Sequence, residues 1–373
     1  MCYCPIYAAD ETVTRMDSVE ISLITCTPHE EIYSLYGHTA LRYHNLRTHE
    51  DLVFNYGVFN FLAPHFVIRF VLGKTDYELG VANLQPFCDY YRKWGSMVVE
   101  QVLNLTDEEK RSIALALNIN LQPENRVYRY NFFYDNCSTR PRDIIEKNIT
   151  GKIIYEPRDG EQPSFREMIH ELTQQHPWAT MGNDLLLGAK ADSKATPREM
   201  QFLPLNLMYD FDHAQLYAAG QYRPLVKERR ILVEPGVQAI EDDFPLSPTL
   251  CAVFLLMAAI AVFVEEFHKK RCTVWFDTTL MLLTGLAGCV LFVMLFSEHP
   301  ATSTNLQILL LNPVALFFIP SIVRRKPTRY WNVLLVCLCL FFAGWWIQDY
   351  AEGMEILALC LLSRYCSHKA HDK

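Results

Sequence analysis

The 373-residue sequence contains no GxxxxGK[ST] loop and no GxGxxG stretch, so nothing in it is patterned to cradle the phosphates of a nucleotide. No CxxC pair stands beside spaced histidines, which removes the ligand spacing of a zinc site. Net positive charge is lacking too. Lys and Arg number 34 against 42 Asp and Glu, a net charge of -8, which argues against nucleic acid as a partner. There is no internal repeat and no low-complexity tract. Cysteine is plentiful at 12, yet few of these residues stand where they could react. Cys251, Cys289, Cys337, Cys339 and Cys360 lie inside apolar runs, where the residue acts as a small hydrophobe. Beyond the extreme N-terminus, the polar part keeps Cys26, Cys88 and Cys137.

What is present divides near residue 245. Before it the chain is mixed and polar; after it come long apolar runs with short charged loops. The runs are Pro248–Val264, Trp275–Phe296, Leu306–Val323, Trp331–Ile347 and Met354–Cys366, the last carrying Glu355. A spanning helix needs roughly 20 mostly apolar residues. Five runs in succession predict an all-α transmembrane bundle of about five helices over 247–366, with a tail at 367–373. The shortest, Met354–Cys366, leaves open a tilted or half-buried helix.

The loops set the orientation. Lys269, Lys270 and Arg271 follow the first run, and Arg324, Arg325, Lys326 and Arg329 follow the third. Arg364, Lys369 and Lys373 lie at the end, while Ser297–Asn305 and Gln348–Gly353 carry no Lys or Arg. Positive charge stays cytoplasmic. The C-terminus is then cytoplasmic, and residues 1–245 lie on the outer side. That placement requires export. Met1–Asp10, MCYCPIYAAD, is too short for a signal peptide, and IYAAD reads as the end of one. Neither Cys2 nor Cys4 follows a lipobox. Residues 1–16 are therefore expected to be an N-terminal tail or the remnant of a signal peptide.

Residues 17–225 read as an α+β exported domain. Glu20–Thr27 alternates apolar and polar positions and predicts a strand. His38–His44, Asp51–Phe59, Tyr77–Leu84, Val98–Leu105 and Val127–Tyr134 predict more, in a mostly antiparallel sheet. Thr106 with Glu109, Ser164 with Glu167 and Thr196 with Glu199 are capping boxes for interleaved helices. Pro197 occupies the first position of the last of these. Residues 223–246 are acidic and proline-containing and read as the linker into the membrane, with the domain ending near 225.

Two places concentrate reactive groups. In Tyr36-Gly37-His38-Thr39, Gly37 permits a sharp turn and His38 opens a strand. In Asp135-Asn136-Cys137-Ser138-Thr139-Arg140-Pro141, a strand is expected to end near Tyr134, and a helix to about Lys147 begins nearby. Pro141 belongs in its first turn. Cys137 then stands at the helix N-terminus, where the dipole favours a thiolate and free N–H groups can hold an oxyanion. A neighbouring imidazole would move the protons. His29, His44, His49 and His65 compete with His38 and read as solvated loop histidines. Asn55, or Tyr56 beside it, is the candidate to orient the imidazole. Phe59, Phe61, Phe132 and Phe133 line an acyl groove or belong to the core. In the outer loop, His299 and Asn305 either contact a lipid headgroup or support the domain, or are ordinary loop residues. Asn312 inside the third run needs a partner in hydrocarbon.

A histidine on an early strand, followed far along the chain by Asn-Cys at a helix start, resembles the circularly permuted NlpC/P60 papain-like enzymes. The lecithin:retinol acyltransferase group belongs with them. The chain is most similar to the Lnb-type lipoprotein N-acyltransferases of diderm bacteria. The resemblance is carried by YGHTALRY, FNYGVFNF, FVLGKTDYEL, NFFYDNCSTRPRD, SFREMI, LGAKAD and FLP in the exported part, and by WFDTT, SEHPATSTN and LNP in the membrane part. It implies a permuted papain-like domain with Cys137 as nucleophile and His38 as base. Tyr36, Asn136, Ser138, Thr139 and Arg140, within its motifs, are supporting or substrate-binding candidates. The implied reaction moves a fatty acyl group from a membrane phospholipid, through a thioester, to the N-terminal amine of diacylated lipoproteins, with no metal or other cofactor. Two other readings fit the residues: a membrane-tethered cysteine peptidase or amidase acting on cell wall, and a non-catalytic membrane scaffold.

Overall fold

The computed structural model describes residues 16–59, 64–238 and 244–371. Residues 1–15 of the expected leader remnant, Phe61 and the acidic triplet of Glu241, Asp242 and Asp243 fall outside them, while Met16 is buried in the core.

In chain order the elements begin with strands β1 (Val19–Cys26), β2 (His38–Asn45) and β3 (Glu50–Val58), then helix α1 (Phe66–Val71) and strand β4 (Asp76–Asn83). Helix α2 (Leu84–Lys93), β5 (Val98–Leu103), α3 (Asp107–Leu121), β6 (Val127–Arg129) and α4 (Thr139–Lys147) follow. Next come β7 (Lys152–Ile154), α5 (Phe165–Thr173), α6 (Pro177–Leu186), α7 (Pro197–Met200) and α8 (Pro204–His213). Strands β8 (Gln215–Ala218), β9 (Gln221–Pro224) and β10 (Val226–Val233) complete the polar half. The apolar half is α9 (Pro248–Lys269), α10 (Val274–Met294), α11 (Ala315–Val323), α12 (Tyr330–Gly344) and α13 (Met354–His371). All three capping boxes form, at the N-termini of α3, α5 and α7.

The chain divides into two compact units that do not follow chain order: residues 1–66, 75–162 and 195–241, and residues 67–74, 163–194 and 242–373. The first is built on a seven-stranded antiparallel sheet, β10-β5-β1-β2-β3-β4-β6, with a small β7-β8-β9 sheet beside it. Strand alternation sorts the side chains onto two faces. Leu23, Leu41, Phe54 and Tyr56 pack with Ile113, Ile145 and Phe211 from the helices of one face. Ile24, Ala40 and Val53 meet Phe87 and Tyr91 of α2 on the other.

Two expectations need correction here. Residues 226–233, read as linker, form the edge strand β10, pinned by Arg230 to Glu20 at 2.8 Å. Charged residues on an edge strand are what made it look like linker. The strand expected to reach Tyr134 stops at Arg129. Asn131 Oδ1 accepts the amides of Phe133 and Tyr134 at 3.2 and 3.1 Å, and this Asx turn ends the extended backbone.

In the second unit, α9 and α10 are long and apolar enough to cross a membrane. Leu250, Phe254, Met257, Ile260, Val264 and Phe267 form one exposed stripe along α9, a surface suited to lipid rather than water. Gly288 lets α10 approach the chain at Leu311, since a Cβ there would sit 2.3 Å from the Leu311 oxygen. The third apolar run is broken: a 3-10 turn at Leu306–Leu309 precedes α11, and Pro313 stands between them. Asn312 finds its partners, with Oδ1 accepting the Val314 amide at 2.9 Å and Nδ2 facing Cys337 Sγ at 3.6 Å. Arg364 of α13 bonds both Glu266 of α9 and Asp277 of α10 at 2.7 Å. The insert 163–194 is tied to the loops of this unit. Arg166, 1% exposed, pairs with Asp184 and Asp192 at 2.6 and 2.5 Å. Gln307 donates to the Asp184 carbonyl at 2.7 Å, and Gly188 to that of Ala301 at 2.7 Å.

Candidate active site

Cys137 lies two residues before α4, half-buried and outside any disulfide. Asn136 fixes its position. Its Oδ1 accepts the amides of Ser138 and Thr139 at 2.9 and 3.0 Å, and its Nδ2 donates to the carbonyls of Phe132 and Phe202, both at 2.8 Å. The Asn136 amide donates to Thr139 Oγ1 at 2.8 Å. Asn136 and Thr139 thus lock the turn that leads into the helix. This corrects the expected oxyanion donors, because the Ser138 and Thr139 amides are already spent on a side chain.

His38 opens β2 after Gly37, whose φ is +76° and whose added Cβ would lie 2.7 Å from the Cys26 carbonyl. Glycine is required at that turn. The next residue joins the two motifs. Thr39 Oγ1 and Ser138 Oγ stand 2.9 Å apart in the interior. A third strand closes the arrangement. Gly57 of β3 has φ +93°, and a Cβ built there would be 3.7 Å from Cys137 Cβ.

Asn55 lies two residues before Gly57, and its Oδ1 is 3.2 Å from His38 Nε2. Asn55 Nδ2 donates to the Val53 carbonyl at 3.3 Å, which fixes the orientation of the amide. An oxygen therefore faces Nε2, so that nitrogen carries the proton and Nδ1 keeps its lone pair. Tyr56, the alternative orienting residue, is a correction. It points to the other sheet face, buried in the core with Phe54, and its hydroxyl accepts from Asn120 Nδ2 at 2.9 Å. Burial pushes its pKa up to about 12.

The electrostatics favour a neutral pair. Burial lowers the His38 pKa to about 4, against the opposing hydrogen bond to Asn55. Burial also raises the Cys137 thiol above its usual value, although the Thr39 amide and Ser138 pull it down. Desolvation outweighs the helix terminus here. At neutral pH the site holds a thiol and an uncharged imidazole, rather than the preformed thiolate expected from the position of Cys137 at a helix start.

The remaining candidates have clear places. Arg140 clamps Asp135 at 2.6 and 2.8 Å and lies 3.4 Å over the Tyr128 ring. Tyr36 meets Phe132 edge-on at 4.9 Å. Phe132 and Phe133 both pack on Phe202, with Phe133 buried. His29, read as solvated, is instead buried and stacked on Trp94 at 5.0 Å. His299 and Asn305 belong to the other compact unit. There His299 Nε2 lies 2.8 Å from the Phe70 carbonyl, and buried Asn305 donates to Leu185 at 2.7 Å.

One residue was not singled out from the sequence. Tyr128 of β6 is 8% exposed, yet its hydroxyl has no hydrogen-bond partner among the described residues. That hydroxyl lies 4.0 Å from the same point beyond Gly57 that Cys137 Cβ approaches. A buried hydroxyl without a partner carries a desolvation cost. The VYRY segment carries no signal for it beyond strand alternation.

Two family models match the chain. One, described as the Lnb N-terminal periplasmic domain, covers residues 9–169; the other, described as the Lnb transmembrane domain, covers residues 239–373. No curated protein and no solved structure matches.

Proposed function

The chain belongs to the Lnb family, with a periplasmic N-terminal domain and a transmembrane C-terminal domain, and from that premise we propose that it is a lipoprotein N-acyltransferase of the bacterial inner membrane. Its acyl donor is a membrane phospholipid, and its acceptor is the N-terminal amine of a diacylglyceryl-cysteine lipoprotein. Its C-terminus is cytoplasmic.

One observation carries the reading. Asn55 orients the His38 imidazole with its Nδ1 lone pair available, and the residue after His38, Thr39, meets Ser138, the neighbour of Cys137, at 2.9 Å. In the first step the Cys137 proton passes to His38 Nδ1 as the sulfur attacks the ester carbonyl of the phospholipid. The C–O bond breaks, and the imidazolium returns the proton to the departing lysophospholipid oxygen. In the second step the neutral amine attacks the thioester, an N–C bond forms, and the C–S bond breaks. The amine proton passes through His38 back to sulfur. The Cys137 amide and the Tyr128 hydroxyl stabilise the oxyanion in both steps. No step calls for an external oxidant or reductant.

A neutral pair suits an acyl carrier. A standing thiolate would react with stray electrophiles between turnovers, whereas here the thiolate forms only as the ester arrives. The test uses the full chain with phospholipid and no acceptor. A fatty acyl mass on the Cys137 peptide, removed by neutral hydroxylamine, is expected. A Cys137 peptide that stays unacylated while lysophospholipid accumulates overturns the proposed intermediate.

A further inference from the structure

The short helix α1 carries an apolar tip that is exposed among the described residues. Val67 is 72% exposed and Ile68 60%. Six residues cannot hold a helix in water by propensity alone, so its position depends on what anchors it.

The anchor is the loop that follows α10. The Glu298 amide donates to the Leu72 carbonyl at 3.1 Å, and His299 Nε2 lies 2.8 Å from the Phe70 carbonyl. The Phe70 and His299 rings pack at 5.4 Å, and Lys74 faces Glu298 at 3.8 Å. Gly73, at φ +68°, is the closest point; a Cβ there would fall 2.7 Å from the His299 amide nitrogen. The turn after α1 is therefore held backbone to backbone against the end of a membrane helix. At that end of α10, Phe292, Val293 and Phe296 are themselves exposed, Phe296 at 73%. The apolar tip of α1 thus hangs from the place where a lipid-facing surface gives way to a polar loop. Arg69 and Lys74 add cationic side chains to the same segment, Arg69 Nε donating to the Lys74 carbonyl at 3.1 Å.

We propose that Val67 and Ile68 are seated in the outer leaflet of the membrane, so that α1 is an interfacial finger against phospholipid at the periplasmic end of α10. The proposal rests on α10 spanning the membrane with residue 297 on the periplasmic side. It does not depend on the acyl-transfer chemistry.

The test places the photoreactive residue p-benzoylphenylalanine at position 68 of the full chain, in nanodiscs of phosphatidylethanolamine and phosphatidylglycerol, with the same residue at position 296 as the positive control. Irradiation is followed by mass spectrometry of the cross-linked peptides. A phospholipid adduct at both positions is the expected result, and it should persist in a Cys137→Ser background, which separates it from turnover. Lipid adducts at 296 but not at 68 overturn the proposal, as do adducts at 68 formed only with a second copy of the chain.

Discussion

Asn55 Oδ1 stands 3.2 Å from His38 Nε2, and the amide cannot turn over without losing the bond from its nitrogen to the Val53 carbonyl. One side chain thereby selects the imidazole tautomer that leaves Nδ1 as the base. Asn55→Ala should lower kcat about tenfold to a hundredfold, less than the ~10²–10⁴ that a general base contributes, because His38 remains but samples both tautomers. Steady-state rates with a fluorescent phospholipid check this, and an unchanged kcat would remove Asn55 from the account.

The neutral pair makes a pH prediction. His38 ordinarily takes its proton at 6.5 and in the fold only at about 4, so the unfolded chain binds more protons in that window. Stability should fall as the pH drops from 6.5 towards 4. Cys137 lies above its usual 9.0, so alkylation by iodoacetamide should be slow at pH 7 and climb above pH 9. A fast rate, flat between pH 5 and 8, would indicate a standing thiolate–imidazolium pair.

Tyr128→Phe separates chemistry from folding. The hydroxyl has no partner to lose, so the variant should be at least as stable as the parent chain. If that hydroxyl serves the oxyanion, kcat should fall on the order of 10²-fold or more. Full activity would return Tyr128 to the core.

Arg166→Ala tests the insert carried by the membrane unit. It leaves Asp184, with a side chain 3% exposed, and Asp192 without their guanidinium. Loss of one partner of a buried pair costs about 3–5 kcal/mol. Heating in detergent followed by gel filtration should show the variant aggregating well below the parent chain.

Much of this was legible from residue pattern. Strand alternation found the six strands from Val19 to Arg129, and Thr106, Ser164 and Thr196 marked helix starts correctly because capping is a local interaction. That the His38 and Cys137 motifs lie near one another was an expectation from family resemblance, since no local rule brings such distant residues together; the Thr39–Ser138 contact at 2.9 Å joins their neighbours. Properties set by tertiary surroundings were not legible. The neutral charge state comes from desolvation, the loss of two amide donors from the side chain of Asn136, and the burial of His29 from its stacking on Trp94. Residues 67–74 and 163–194 join the membrane unit through backbone bonds that composition does not encode.

The central claim is that Cys137 and His38 together place a third acyl chain on lipoproteins. The direct measurement is the mass of lipoprotein N-terminal peptides from cells carrying this chain as their only such enzyme, compared with Cys137→Ser and His38→Ala. The account predicts peptides one fatty acyl group lighter in both variants, with the proteins still in the membrane. Triacylated peptides persisting in either variant would contradict it.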